Sequence, residues 1–379
     1  MFTTIELLIF GLTTALFGVC AVHSISYVGT GRATWKYWTL LIAFFGAMIA
    51  AVLTRSLVGM WVAIEATTLL SAPLICHHKS PGAVEAMWKY LLICSIGIAL
   101  ALFGTLLVLH GWYKPGFVFI LAGYGTKMGL APFHTWLPDA HSEAPGPVSA
   151  MLSGALLNCS FLAIWRFRAI MPEAIAPFCD NAMLALGLLS LAVAAVFVVR
   201  QTDYKRMLAY STVEHMGLVI ILFAIHAHEE ILCGHVFFHS VIKTALFLVA
   251  GNLLLAYGTR EIAAIHGMGR TMKLHAALWM LGILMICGMP PSGLFLTELG
   301  LLMKAPTWLG LTVASLLFVI FAGMVHVAVG MVFGKSDRLH SAVARPLPRA
   351  FAVMPSAALI AAFIAGSLFI VELIVKGGF

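Results

Sequence analysis

Apolar runs of about twenty residues, separated by short polar loops, recur along this whole sequence, and each is long enough to cross a bilayer as a helix. Only 10% of the residues are charged and 62% are hydrophobic. A soluble domain is nearer a quarter charged. This excludes a soluble enzyme, a nucleic-acid binder and a disordered scaffold. The pattern predicts an all-α polytopic membrane protein with about 12 transmembrane helices. Period-2 alternation of the barrel type is absent. The spans are expected near 4–28, 37–54, 57–76, 86–110, 116–138, 147–167, 182–200, 206–225, 230–257, 274–303, 308–334 and 350–375.

In such a chain the few charges carry the information. Of the bases, Arg32, Lys36, Lys79, Lys89, Arg200, Lys205, Arg206, Arg260, Arg270, Lys273, Lys335, Arg338, Arg345 and Arg349 fall in odd-numbered loops. Arg55, Lys114, Arg166, Arg168, Lys304 and Lys376 fall in even-numbered loops and the tail. The positive-inside rule then places both termini outside, in a cell inner membrane. This accounts for the net charge of +7 without an anionic partner. The N-terminal stretch lacks a basic region and carries Glu6, so it reads as a retained first span. The seven cysteines have no C-x-x-C spacing, and neither a metal site nor a disulfide framework is expected.

Two bases belong to no loop: Lys127 and Lys243. Glu65, Glu214, His215, His235, His239 and Glu298 also fall inside predicted spans. A charge at a helix centre costs about 2.5–3.5 kcal/mol on insertion scales, so intramembrane ionisable groups are functional candidates. His235, His239 and Lys243 are four apart and share one helix face. A metal site is the alternative reading for such a His pair, but H-E-x-x-H is absent and no carboxylate flanks them. The stripe favours a proton relay.

Two spans carry helix breakers. Gly125, Gly129 and Pro132 surround Lys127, and Gly288, Pro290, Pro291 and Gly293 precede Glu298. Broken membrane helices are tolerated where protein or a cavity receives the freed backbone groups. In order, helices 2–6 and 7–11 each give an acidic span and later a broken one. Five is odd, so the expected architecture is two inverted five-helix repeats, each with a broken helix. The chain divides into N-terminal helices (1–54), a core (55–335) and a C-terminal loop and helix (336–379) within one membrane domain.

The segment KMGLAPFHTWLPDAHSEAPGPVSAMLSGALLN (127–158) resembles the antiporter-like proton-pumping subunits of respiratory complex I, Mrp-type antiporters and membrane-bound [NiFe] hydrogenases. TDYKRMLAYSTVEHMGL (202–218), FFHSVIKTALFLVAGN (237–252) and GMPPSGLFLTELGLL (288–302) support the match, and the formate hydrogenlyase-type branch is most similar. The resemblance implies that Glu65 pairs with Lys127 to gate proton uptake. It implies that His235, His239 and Lys243 form a central hydrophilic axis with Glu298 on the exit side. Asn158 departs from the family, whose members commonly carry Lys or His there. Compared with full-length members, about two N-terminal helices and a lateral C-terminal helix are absent. The implied function is proton translocation, driven by electron transfer in partner membrane and peripheral subunits. The chain has no ligands for a redox cofactor, so none is expected on it. The alternatives are a component of a Mrp-type antiporter and a degenerate structural spacer.

Overall fold

A computed structural model describes residues 2–29, 31, 34–335, 345, 347–348 and 350–375, with side chains given to Phe369. Arg32, Arg338, Arg349 and Lys376, counted above for orientation, lie outside the described residues, as does most of the 336–349 loop. The described chain is helical, apart from a single antiparallel bridge between Asp203 and Glu261. Ten helices are long and apolar enough to cross a membrane. The predicted spans at 116–138 and 274–303 are each divided into two shorter helices.

The order is α1 (Thr4–Tyr27), α2 (Trp35–Leu53), α3 (Leu57–Ile75), α4 (Pro81–Leu109), α5 (Tyr113–Met128), α6 (Trp136–Glu143), α7 (Gly146–Met151), α8 (Leu157–Ala169), α9 (Ala176–Val198), α10 (Tyr204–Ala224), α11 (Glu229–Tyr257), a short α12 (Met268–Thr271), α13 (Lys273–Ile286), α14 (Gly293–Lys304), α15 (Thr307–Phe333) and α16 (Ala350–Val375). A π-turn, Leu152–Leu156, joins α7 to α8. Local chemistry sets several starts. Ser56 caps α3, Ser80 followed by Pro81 opens α4, and the Asp203 carboxylate accepts from the Lys205 and Arg206 amides.

Burial sorts the helices into a centre and a ring. The apolar windows of Gly146–Ala169, α10 and α11 are 94%, 94% and 89% buried, whereas that of α15 is 28% buried. The ring therefore presents its apolar outer face to lipid, and the centre is sequestered by protein. Close packing at the centre needs small residues: a Cβ on Gly146 would lie 3.0 Å from the Gly251 Cα of α11.

Both breaks are closed by groups from elsewhere. Gly129 ends α5 at φ +84°, a conformation that favours glycine. The freed Thr126 carbonyl accepts from the Trp136 indole at 2.8 Å, and the Ala131 amide donates to Ser190 of α9 at 2.9 Å. Between α13 and α14, Ser292 donates to the Met285 carbonyl at 3.0 Å, and the Ile286 carbonyl faces His215 Nε2 at 3.0 Å. No backbone group at membrane depth can rely on water, so these side chains replace it.

Candidate functional site

Every ionisable position singled out within the spans lies in or against the central helices, except Glu65 on α3. Lys127 ends α5 and is wholly buried. Its ammonium donates to Thr68 Oγ1 at 2.9 Å and to the Tyr90 hydroxyl at 2.5 Å, and sits 4.4 Å from the Tyr90 ring centroid. Ser71 extends the cluster through a 2.6 Å contact with the Tyr90 hydroxyl. Glu65 accepts from Ser95 at 2.8 Å, and its second oxygen has no partner among the described residues. The expected direct Glu65–Lys127 pair is therefore not made. The reason is rotameric: three hydroxyl-bearing neighbours surround the amine, while Ser95 draws the carboxylate away. The two groups still act on each other electrostatically.

Asn158 occupies the middle of the molecule. It donates to the Gly154 carbonyl at 2.9 Å, in the π-turn, and to Ser240 Oγ on α11 at 2.8 Å. Its own oxygen is unpartnered. Ser153 and Thr212 touch at 2.9 Å beside it. The π-turn thus places polar groups where an uninterrupted helix would present apolar ones.

The other half is denser. His235, His239 and Lys243 are all fully buried on one face of α11, as their spacing requires. Lys243 donates to the Leu208 carbonyl at 2.8 Å and to Ser211. Glu214 lies one turn along α10 and interacts with Lys243 electrostatically. His215 Nδ1 is 3.2 Å from His235 Nε2, and His235 Nδ1 is 2.9 Å from Thr297 Oγ1. The His215 and His239 rings are 5.0 Å apart, and neither nitrogen of His239 has a hydrogen-bond partner. Glu298 is half-buried, its carboxylate against Gly288 in the break.

The histidine pair has defined donor arithmetic. The Ile286 carbonyl only accepts, so His215 donates from Nε2 and, when neutral, accepts at Nδ1. His235 then donates from Nε2 and accepts at Nδ1 from the Thr297 hydroxyl. An added proton makes His235 Nδ1 a donor, and the Thr297 hydroxyl turns to the Leu294 carbonyl, 2.9 Å away. One proton gained or lost is thereby coupled to one hydroxyl rotation. Among the described residues, no group of His, Cys, Asp or Glu is arranged to hold a metal ion.

Three features were missed by the sequence reading. Lys205, counted as a loop base, is wholly buried in the first turn of α10 and donates to the Ser142 and Ala144 carbonyls at 3.0 and 2.6 Å. Its place beside Asp203 at a helix start imitates an ordinary interfacial base. Glu6 is 1% exposed and bridges Arg166 at 2.8 Å and Arg55 at 3.0 Å. Arg55 and Arg166 therefore also have a structural use beyond orientation. Finally, His141 of α6 is buried near Lys205 and Lys243. On the same side, His78 is held below the usual imidazole range by burial and then by Lys205, with Glu143 opposing.

Broken helices around a sequestered polar line define an integral, multi-pass membrane protein of the antiporter-like class. Residues 110–325 match the NADH:quinone oxidoreductase/Mrp antiporter transmembrane family, and the chain belongs to it. The chain is 34% identical to a hydrogenase-4 component F homolog of Methylacidiphilum infernorum, over 78% of this chain and 69% of that protein. It is 30% identical to a probable K(+)/H(+) antiporter component of Rhizobium meliloti, over 76% of this chain but 31% of that protein. Against an uncharacterized Mycobacterium tuberculosis protein it is 30% identical, over 67% of this chain, and spans under half (44%) of that relative's length. Its fold matches a chain of the Mrp complex from Dietzia sp. DQ12-45-1b, with a TM-score of 0.87 at 18% identity, covering 98% of this chain and 82% of that one. It also matches a chain of the membrane-bound sulfane sulfur reductase, an archaeal respiratory complex, with a TM-score of 0.85 at 21% identity, covering 98% and 81%.

Proposed function

We propose that this chain is the proton-translocating subunit of a membrane redox complex of the hydrogenase type. Electron transfer in partner membrane and peripheral subunits drives it. The observation that carries the reading is the continuity of buried polar groups. They run from Glu65 and Lys127, through Asn158 and Ser240, to Lys243, Glu214, His215, His235 and His239, and end at Thr297 and Glu298 beside the second break. Unpartnered polar atoms on Glu65, Asn158 and His239 mark points along this line where water fits. Asn158 carries no proton itself. Its amide orients such a water between the two halves. Lys127 and Lys243 hold the transported charge, and Glu65 and Glu214 tune it by proximity. The likeness to the hydrogenase-4 component F homolog supports the choice of complex.

The core at 55–335 carries this line, and its two five-helix halves act as inverted half-channels. Both termini face outward from an inner membrane. Setting buried Lys205 aside still leaves thirteen bases on the inner side against six on the outer. In inverted vesicles bearing the assembled complex, Lys127→Ala abolishes proton uptake while electron transfer continues. Unchanged uptake would refute the reading and leave a structural spacer.

The likeness to a K(+)/H(+) antiporter component supports a second reading, exchange driven by an existing gradient. It requires Na⁺- or K⁺-dependent collapse of an imposed pH gradient without any electron donor.

A further inference from the structure

His141 is fully buried, its ring stacks on Phe247 at 4.6 Å, and neither ring nitrogen has a hydrogen-bond partner among the described residues. An imidazole gains nothing from such a place as a packing residue, because two unsatisfied polar atoms cost about 1–3 kcal/mol each. The ring stands within electrostatic range of Lys205 and Lys243. The next residues along α6 lead outward. Ser142 donates to Asp203 at 2.5 Å, and Glu143 pairs with Arg260 at 2.7 Å. Asp203, Glu143, Arg260 and His78 line a cavity of about 490 Å³ that is open to the outside of the protein. Lys205 closes its floor, the amine fixed on the Ser142 and Ala144 carbonyls.

We infer that His141 is a further proton-relay residue, passing protons from this charged vestibule to Lys243 past the fixed ammonium of Lys205. The inference rests on the proposed function above and adds a cytoplasmic entrance to it. The transfer balances simply. His141 takes a proton at one ring nitrogen from vestibule water and releases one from the other nitrogen toward the deprotonated Lys243 amine. The charged groups facing this path are Lys205 and Asp203 from the start of α10, Lys243 from α11, Glu143 from α6, Arg260 from the following loop and His78 from the α3–α4 loop. Asp203 and Glu143 collect protons, and Lys205 keeps hydrated cations out.

The test uses the whole complex in inverted vesicles, with Lys243→Ala and His141→Phe in parallel. Phenylalanine preserves the stack on Phe247. The expected result is loss of proton uptake in Lys243→Ala and a fall on the order of a hundredfold in His141→Phe, with the complex assembled and electron transfer retained. Loss in Lys243→Ala with full uptake in His141→Phe overturns this inference and leaves the proposed function standing. Full uptake in both overturns the proposed function. Should His141→Phe fail to assemble, Thr259→Cys at the vestibule decides. A bulky, membrane-impermeant maleimide added to inverted vesicles should stop uptake in Thr259→Cys and not in the parent protein. Labelling that leaves uptake intact overturns the inference.

Discussion

Thr297→Val offers a discriminating perturbation of the relay. Valine matches threonine in shape but lacks the hydroxyl, so packing in α14 is retained. What disappears is the 2.9 Å contact to His235 Nδ1 and the alternative contact to the Leu294 carbonyl. His235 is wholly buried, and its other nitrogen is already engaged with His215. A buried polar group left unsatisfied costs about 1–3 kcal/mol. If that penalty falls on the proton-transfer barrier, each 1.36 kcal/mol is tenfold, and uptake slows by about fivefold to about a hundredfold. Thr297→Ser keeps the hydroxyl and should pump near the parental rate. The assay is quenching of a pH-sensitive dye in inverted vesicles, driven by the complex's own electron transfer and normalised to assembled complex. Equal rates in the two variants would refute the hydroxyl-rotation account of the His215–His235–Thr297 chain.

Other predictions concern the supports of the site. Arg166→Met should cost about 3–5 kcal/mol of stability, since Glu6 is 1% exposed and Arg166 is 11% exposed. Arg55→Met, losing a partner 51% exposed, should cost only about 0–1 kcal/mol. Detergent thermal unfolding of the two variants checks the order, and equal losses would contradict it. His78 should remain neutral at neutral pH. Glu143→Gln removes the charge that opposes Lys205 and moves the His78 midpoint further down. The pH dependence of His78 acylation in a His77→Gln background reads this, and an upward shift would be inconsistent with it.

The spans and the two breaks were legible because apolar length and Gly/Pro punctuation are local properties of sequence. The stripe of His235, His239 and Lys243 was legible because helical pitch fixes a shared face. Pitch does not fix a rotamer, so the partner of Lys127 was read as Glu65 by charge alone, while Thr68 and Tyr90 occupy its ammonium. Lys205 was hidden by its neighbours, since a base after Asp at a helix start is the ordinary mark of an interface. Its burial follows from the break before α7, which brings the Ser142 and Ala144 carbonyls onto α10. Arg166 and Glu6 stand far apart in sequence, and only the tertiary fold shows that they share one carboxylate oxygen. Asn158, a departure from the family when read in sequence, lies where the π-turn meets α11 and links the two.

The way the first break is closed constrains the order in which the chain can be made. The Ala131 amide is satisfied by Ser190, which is synthesised and enters the membrane only with α9. The second break depends instead on His215, already in place when α13 arrives. A nascent chain that has inserted α5 and α6 but not α9 holds an unsatisfied amide at membrane depth. The translocation machinery must therefore shelter the α5–α6 segment, or leave it at the interface, until α9 follows. The second half is templated by its predecessor as it emerges. An arrested chain ending before α9 should accordingly be more open to proteolysis at 129–135 than one ending just after it.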